Sequence, residues 1–416
     1  MMKLTHEEEA MLAGKCGYPV QKSMEILVQL GEIYGAEKMI KISSVHMPGA
    51  SVVVAGEAGT KFVEKMAAAG GQVRALTTLN PGAVNFDAWQ EIGYSEETYK
   101  LQRRLTTAYE KMGCLACHTC TPYFIGSCPR RGEHIAWGES SAIAFANSVL
   151  GAYTNREGGP SALAAALTGC VPEYGYHLAE NRFGHLQINV HSKLNGIADF
   201  GALGYWVGSR AGSKVPVFTG ITNPNTDELK MLGAALASSG AVALFHVVGV
   251  TPEAPTCEAA FGGRKPEQVV DFDASLLADA KRALNKVNGE EVSVVCIGCP
   301  HTSIVEIAEI AAALKDKKVK SHVELWILTA LPTRAFAERC GYDKIIEAAG
   351  GRFVIDTCPI LSPMAEVAKK KNYSALVTNS AKLAHYAPGQ WALPTYYGSL
   401  QSCLGAAISG KFDQST

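Results

Sequence analysis

Cysteines concentrate in one short stretch, Cys114-Leu115-Ala116-Cys117-His118-Thr119-Cys120, and a further thiol follows at Cys128-Pro129. Thiolates bind iron and zinc, so this density points to metal or redox chemistry. The spacing is compatible with several arrangements. Cys114-x-x-Cys117-His118 has the form of a c-type haem attachment site, a modification normally made after export. Cys114, Cys117 and Cys120 match the first three positions of a ferredoxin cluster run, but seven residues rather than three precede the fourth cysteine, Cys128. The four thiols together could hold a structural zinc. In the remaining arrangement one of them is a ligand completed by cysteines far away in sequence.

Two distant cysteines are placed for that role. Val294-Val295-Cys296-Ile297-Gly298-Cys299-Pro300-His301 ends a strand-like run and leads into a helix, and Phe353-Val354-Ile355-Asp356-Thr357-Cys358-Pro359 ends another. Ligand sites gather at the C-terminal ends of strands in α/β folds. An iron site with three cysteine ligands keeps one position open, and an open position allows Lewis-acid catalysis on a substrate hydroxyl. Cys16, Cys170, Cys257, Cys340 and Cys403 have no comparable setting and are assigned to cores.

A second constellation could hold an anion. Glu139-Ser140-Ser141 reads as a helix start, Asn147-Ser148 lies further along that helix, and Thr154-Asn155-Arg156-Glu157-Gly158-Gly159 follows its end. Backbone N–H groups and the helix dipole favour an anion at such a start, and an Arg can clamp a carboxylate in bidentate fashion. Ser140, Ser141, Asn147, Ser148, Asn155 and Arg156 are therefore the candidate substrate-binding residues. Ser44-Val45-His46-Met47-Pro48 and His246-Val247-Val248-Gly249-Val250-Thr251-Pro252-Glu253 each place a His beside a strand end and a turn. Ser44, His46, His246 and Glu253 are the candidate catalytic residues, the His and Glu side chains being able to move protons.

The elements that must position these groups are legible as alternating apolar runs and helical stretches. Ser51-Val52-Val53-Val54-Ala55, Ala241-Val242-Ala243-Leu244-Phe245, Val292-Ser293-Val294-Val295 and Val323-Glu324-Leu325-Trp326-Ile327-Leu328 have strand length and character. Helices are predicted over residues 302–314, with Ser303 and Glu306 as a capping box, over 274–287, and from Glu139 to about Leu150 with Gly151 as a stop. The alternation predicts an α/β fold of mainly parallel sheets flanked by helices. A chain of 416 residues predicts several domains, divided near the glycine-rich 199–215 segment and the polar turn Asn288-Gly289-Glu290-Glu291. The expected regions are 1–205 with Cys120 and the anion loop, 206–287, and 288–416 with Cys299 and Cys358.

Composition bounds the function. With 47% hydrophobic and 19% charged residues, and Lys+Arg 38 against Asp+Glu 39, the chain is globular and has no general attraction to nucleic acid or anionic membranes. No apolar stretch reaches spanning length, and the N-terminal Met1-Met2-Lys3-Leu4-Thr5-His6 is unlike a secretory signal, so a cytoplasmic location is expected.

Taken in order, several of these segments resemble one family. Ser44-Val45-His46, Thr77-Thr78-Leu79-Asn80-Pro81, Cys120-Thr121-Pro122-Tyr123, Glu139-Ser140-Ser141-Ala142, Asn155-Arg156-Glu157-Gly158-Gly159, Gly298-Cys299-Pro300-His301, Asp356-Thr357-Cys358 and Thr378-Asn379-Ser380-Ala381-Lys382 are similar to motifs of the aconitase X family. The resemblance implies an aconitase-like multidomain fold and an iron-dependent hydro-lyase with iron or an iron–sulfur cluster as cofactor. It implies Cys120, Cys299 and Cys358 as metal ligands, and a small hydroxy acid, mevalonate 5-phosphate or a cis-3-hydroxyproline, as substrate. The chain ends soon after Gly410-Lys411-Phe412 without the small swivelling domain of fused members, so a separate small subunit, making a heterodimer, is expected. Tyr153 departs from the Arg more usual there, and Cys114, Cys117, Cys128 and Cys296 are extra thiols. A non-catalytic metal-binding or redox-sensing protein built on Cys114, Cys117, Cys120 and Cys128 is the alternative of a different class, and an aconitase-like scaffold that has lost activity is a third.

Overall fold

Short apolar strands joined by helical crossovers build three parallel sheets in the computed structural model, which describes residues 2–287 and 289–413. Met1 and Asn288 of the segments considered above lie outside the described residues. In the first region, Met39–Lys41 (β1), Ser44–Met47 (β2), Leu76–Leu79 (β3), Ala136–Trp137 (β4) and Cys170–Pro172 (β5) form a parallel sheet β3-β2-β4 beside an antiparallel pair β1-β5. In the second, Leu186–Val190 (β6), Pro216–Thr219 (β7), His246–Val247 (β8) and Gln268–Phe272 (β9) are ordered β8-β7-β6-β9, all parallel. In the third, Val294–Ile297 (β10), Glu324–Leu328 (β11), Gly351–Val354 (β12), Leu376–Thr378 (β13) and Thr395–Tyr397 (β14) are ordered β12-β11-β10-β13-β14, again parallel. The helix Gly196–Ala211 crosses position 205, so the boundary expected there falls inside an element of the second region. Among the described residues no helix is long and apolar enough to cross a membrane.

Two of the four apolar runs are not strands. Ser51 caps the helix Val52–Ala68 by accepting from the Val53 N–H at 3.2 Å, so the valine triplet opens a helix. Residues 241–245 make no ladder. The Ala241 N–H goes to the Gly212 carbonyl at 2.9 Å, and two further bonds go to side chains, the Phe245 N–H to Ser148 Oγ at 2.8 Å and the Ala243 carbonyl to the Asn147 amide at 2.9 Å. The other two runs are β10 and β11. The predicted helices stand as Ala274–Leu284, Ile304–Leu314 with the Ser303/Glu306 box, and Ser140–Phe145 continued by a π-turn at Ala146–Leu150, with Gly151 left-handed at its end.

The regions share their cores. Val45, Met47 and Leu79 of the first pack in one cluster with Cys296, Trp326 and Trp391 of the third, and the second region's core takes in Ala381, Ala384 and Tyr397. The helix Ala381–Gln390, which follows β13, thus lies at the junction.

Candidate active site

The C-terminal ends of five strands deliver the polar groups of the first and third regions. β3 leads to Asn80, β4 to Glu139, β10 to Cys299, β12 to Cys358, and β13 to Lys382 at the start of its helix. Cys120 arrives on the loop before the short turn Pro122–Ile125. Local chemistry sets each loop. Gly298 turns sharply at φ 110°, where a Cβ would collide with the Leu328 carbonyl. Ser380 caps the Lys382 helix through the Leu383 N–H at 3.1 Å and donates its hydroxyl to the Cys299 carbonyl. Ser362 donates to the Cys358 carbonyl at 2.7 Å.

Cys120, Cys299 and Cys358 are all buried, and none forms a disulfide. Burial pushes the Cys120 thiol up to about 12, with the nearby charges of Glu139 and Cys358 adding to the rise and Lys382 opposing it. Burial raises Cys299 and Cys358 in the same way, and Lys382 again pulls against it. The Lys382 charge thus opposes the rise at all three thiols. Soft thiolates are the donor set suited to iron. Among the described residues no three His, Cys, Asp or Glu side chains are drawn into the shell of a single metal ion.

Lys382 is itself buried, and its ammonium meets Glu139 Oε1 at 2.5 Å and Ser140 Oγ at 3.3 Å. Burial alone would raise the Glu139 carboxyl, but the Lys382 charge and hydrogen bonds from Lys382 and Asn80 hold it down at about 2. Glu139 is thus a fixed anion and a poor proton donor. It also accepts from the Ser140 hydroxyl at 3.3 Å, the Ser141 hydroxyl at 3.1 Å, the Ser141 N–H at 3.4 Å and the Asn80 amide at 2.9 Å. Because the Asn80 Nδ2 donates to Glu139, its Oδ1 accepts from His46 Nε2 at 3.3 Å, and His46 Nδ1 is left to accept from the Thr78 hydroxyl at 2.8 Å. Burial lowers His46 to about 4, so the ring is neutral. Ser44, two residues before it, accepts from the Trp137 indole at 3.1 Å.

The remaining predicted site residues lie elsewhere. Asn147 and Ser148 sit near the far end of the helix begun by Glu139, roughly 12 Å along its axis. Asn147 bonds the Thr154 and Ala243 carbonyls and takes a bond from Arg182 at 3.3 Å. Asn155 holds the Tyr174 carbonyl and the Tyr176 N–H. Glu253 is gripped by the buried Arg182, whose Nε lies 2.9 and 3.1 Å from its two oxygens, and His246 Nε2 donates to the Arg182 carbonyl at 2.8 Å. Arg182 also stacks 4.0 Å from the Tyr153 ring. Arg156 is exposed and makes no hydrogen bond or ion pair among the described residues. Of the candidates, then, the three cysteine loops, Ser140, Ser141 and His46 lie in the first and third regions' centre, while His246, Glu253 and Asn147 bond Arg182, and Ser148 and Asn155 bond backbone at Phe245, Tyr174 and Tyr176. The four local thiols do not assemble: Cys114 packs in the apolar core, Cys128 is exposed and Cys117 donates weakly to the Leu79 carbonyl at 3.6 Å.

The centre has a built-in acid sensitivity. Burial holds His46, His118 and His301 each at about 4, against 6.5 when unfolded. A depressed folded value means that this stability is fully present above 6.5 and is lost as the pH falls toward 4. Each ring then costs on the order of 3 kcal/mol to keep neutral. Circular dichroism of the metal-free chain should show unfolding in that window, and His118→Gln, which removes one titrating ring, should make the transition less steep.

Sequence models of the aconitase X first, second and third domains match residues 1–180, 184–282 and 292–409. The chain is 46% identical over 397 residues to the phosphomevalonate dehydratase large subunit of Methanothermobacter thermautotrophicus, covering 95% of this chain and 96% of that one. Its identity to the same-named subunit of Methanocaldococcus jannaschii is 43%, covering 97% and 99%. It is 36% identical to the cis-3-hydroxy-L-proline dehydratase of Pseudomonas aeruginosa, covering 97% of this chain and 70% of that one. The crystal structure of Thermococcus kodakaraensis aconitase X in its holo-form superposes with a TM-score of 0.89 at 38% identity, over 98% of this chain and 100% of that one. Parallel sheets with polar loops at their strand ends, in a chain so closely related to dehydratases, define an enzyme of the hydro-lyase class. The chain belongs to the aconitase X family.

Proposed function

We propose that the chain is the large subunit of an iron-dependent dehydratase that removes water from mevalonate 5-phosphate. The observation that supports a metal-centred reaction is the meeting of the Cys120, Cys299 and Cys358 loops at His301, two residues after Cys299, whose backbone N–H lies 3.2 Å from Cys120 Sγ and whose ring lies 3.0 Å from the carbonyl of Thr357, the residue before Cys358. The choice of substrate rests on the 46% and 43% identity to phosphomevalonate dehydratase large subunits, against 36% to a cis-3-hydroxy-L-proline dehydratase.

Cys120, Cys299 and Cys358 would hold iron or an iron–sulfur cluster. Such a group supplies a Lewis acid that polarises a substrate hydroxyl so that it leaves as water. The residues of this chain do the rest of the positioning. Lys382 presents a permanent cation, kept charged by Glu139, to the substrate carboxylate. Ser140 and Ser141 add hydroxyls at the helix start. His46, neutral and bound to Asn80 and Thr78, orients the Asn80 amide and through it Glu139. Arg156, free at the surface, is available to the phosphate. Glu139, Glu253 and His46 are each committed to a partner, so we assign the proton acceptor to the small subunit that the relatives' names imply.

The test is anaerobic reconstitution of this chain with iron, with and without a small subunit, assayed on mevalonate 5-phosphate and cis-3-hydroxy-L-proline side by side. Dehydration of the phosphate ester only in the two-subunit sample is expected. Preference for hydroxyproline would overturn the substrate, and full turnover by the large chain alone would overturn the assignment of the base. Arg156→Ala should lower kcat/KM on mevalonate 5-phosphate by about fivefold, the range of one exposed ion pair of about 1 kcal/mol, mainly through KM.

A further inference from the structure

His301 touches all three cysteine loops. It follows Cys299-Pro300 directly, and its backbone N–H donates to Cys120 Sγ at 3.2 Å. Its ring is 1% exposed and bonds at both ends. Nε2 lies 3.0 Å from the carbonyl of Thr357, the residue before Cys358, and Nδ1 lies 3.2 Å from the hydroxyl of Thr119, the residue before Cys120. A carbonyl can only accept, so Nε2 carries the proton, and in the neutral ring Nδ1 accepts from the Thr119 hydroxyl. That requirement fixes one neutral tautomer. Behind the ring, the fully buried Lys230 donates to the His301 carbonyl at 3.3 Å while paired with Asp227 at 2.9 Å and with Glu306.

We infer that His301 is a positioning residue: its neutral imidazole clasps the Cys120, Cys299 and Cys358 loops together and sets the mutual placement of the three thiols. The inference deepens the metal-holding role proposed above and rests on that reading for its purpose, although its geometry stands without metal. Among the described residues no other residue joins all three loops through hydrogen bonds. Ser380 reaches only the Cys299 loop and Ser362 only the Cys358 loop. A clasp of this kind gives a signature that general loosening does not, because its two ring bonds can be removed one at a time.

The full chain, freed of metal by a chelator and fully reduced, is treated with iodoacetamide, and the alkylation rate of each cysteine is read by mass spectrometry against the exposed Cys340. A Gln amide nitrogen takes the place of Nε2, so His301→Gln keeps the bond to Thr357 and loses the Thr119 bond. An Asn side chain takes the place of Nδ1, so His301→Asn keeps the Thr119 bond and loses Thr357. Alkylation should accelerate about tenfold at Cys120 in the Gln variant and at Cys358 in the Asn variant, the weight of one buried hydrogen bond. His301→Ala should accelerate both. If an imidazole variant does not fold, Thr119→Val, which deletes the hydroxyl from the other side, must reproduce the Gln pattern. An equal change at all three thiols, or none, overturns the clasp. Iron retained after reconstitution is measured in parallel. Wild-type chain that takes up no iron would defeat the proposed metal centre, while the alkylation pattern would still decide the role of His301.

Discussion

Lys382→Met is expected to abolish dehydration and to destabilise the fold, and adding Glu139→Gln should restore stability without restoring activity. The two losses have different origins. Lys382 and Glu139 are both buried, with their side chains only 8% and 10% exposed, so removing the ammonium strands a carboxylate away from water. Breaking such a pair costs about 3–5 kcal/mol, whereas replacing both partners by neutral groups is often close to neutral. The double variant should therefore unfold near the wild-type midpoint in urea. Activity follows another rule. The ammonium is the cation whose charge opposes the raised thiols of Cys120, Cys299 and Cys358, and Gln at 139 does not replace it. Removing a preorganised donor of this kind costs roughly two to three orders of magnitude in kcat. Activity in the double variant within tenfold of wild type would show that Lys382 serves the fold alone.

This pair also shows where sequence reading stopped. Cys299 and Cys358 were accessible because a thiol after an apolar run marks a strand end, and parallel sheets place such ends together. Lys382 lies in an equally suggestive position, just after β13, but a Lys at the start of a helix normally reaches solvent. Its burial comes from the helix being wedged between two cores, a tertiary fact with no local signal. Asn147 and Ser148 show the converse case. Their types fit a substrate pocket, yet they satisfy the backbone of 241–245, a buried run that reads as a strand but has no strand partner. Arg182, which bonds Asn147, His246 and Glu253, lies between a short 3-10 turn and β6 outside any repeated pattern, and only its ion pair with Glu253 reveals it. Short strand segments and side-chain-bonded backbone are thus the places where periodicity fails, and they are also where polar residues change role.

Replacing a single thiol should have the larger chemical effect. Cys358→Ser, Cys299→Ser and Cys120→Ser are each expected to lose iron during desalting and to fall below detectable turnover. Metal bound by a few thiolates is worth on the order of 10 kcal/mol or more, so deleting one of three protein ligands removes roughly 3–5 kcal/mol, or about two to four orders of magnitude in affinity. Serine keeps the shape but supplies a hard, protonated oxygen, so the loss reflects donor chemistry rather than packing. The same reasoning gives a pH dependence. Burial raises all three thiols, with Cys120 at about 12, so near neutral pH each is protonated before metal arrives and must release its proton on binding. Iron uptake by the wild-type chain should therefore strengthen as pH rises above neutrality. Calorimetry in buffers of different ionisation enthalpy should count protons released on binding, and Lys382→Met should weaken uptake further because the ammonium opposes the rise at every one of the three thiols. Stoichiometric iron in all three serine variants would remove these cysteines from the centre and leave the ion pair of Glu139 and Lys382 without the group it is placed to serve.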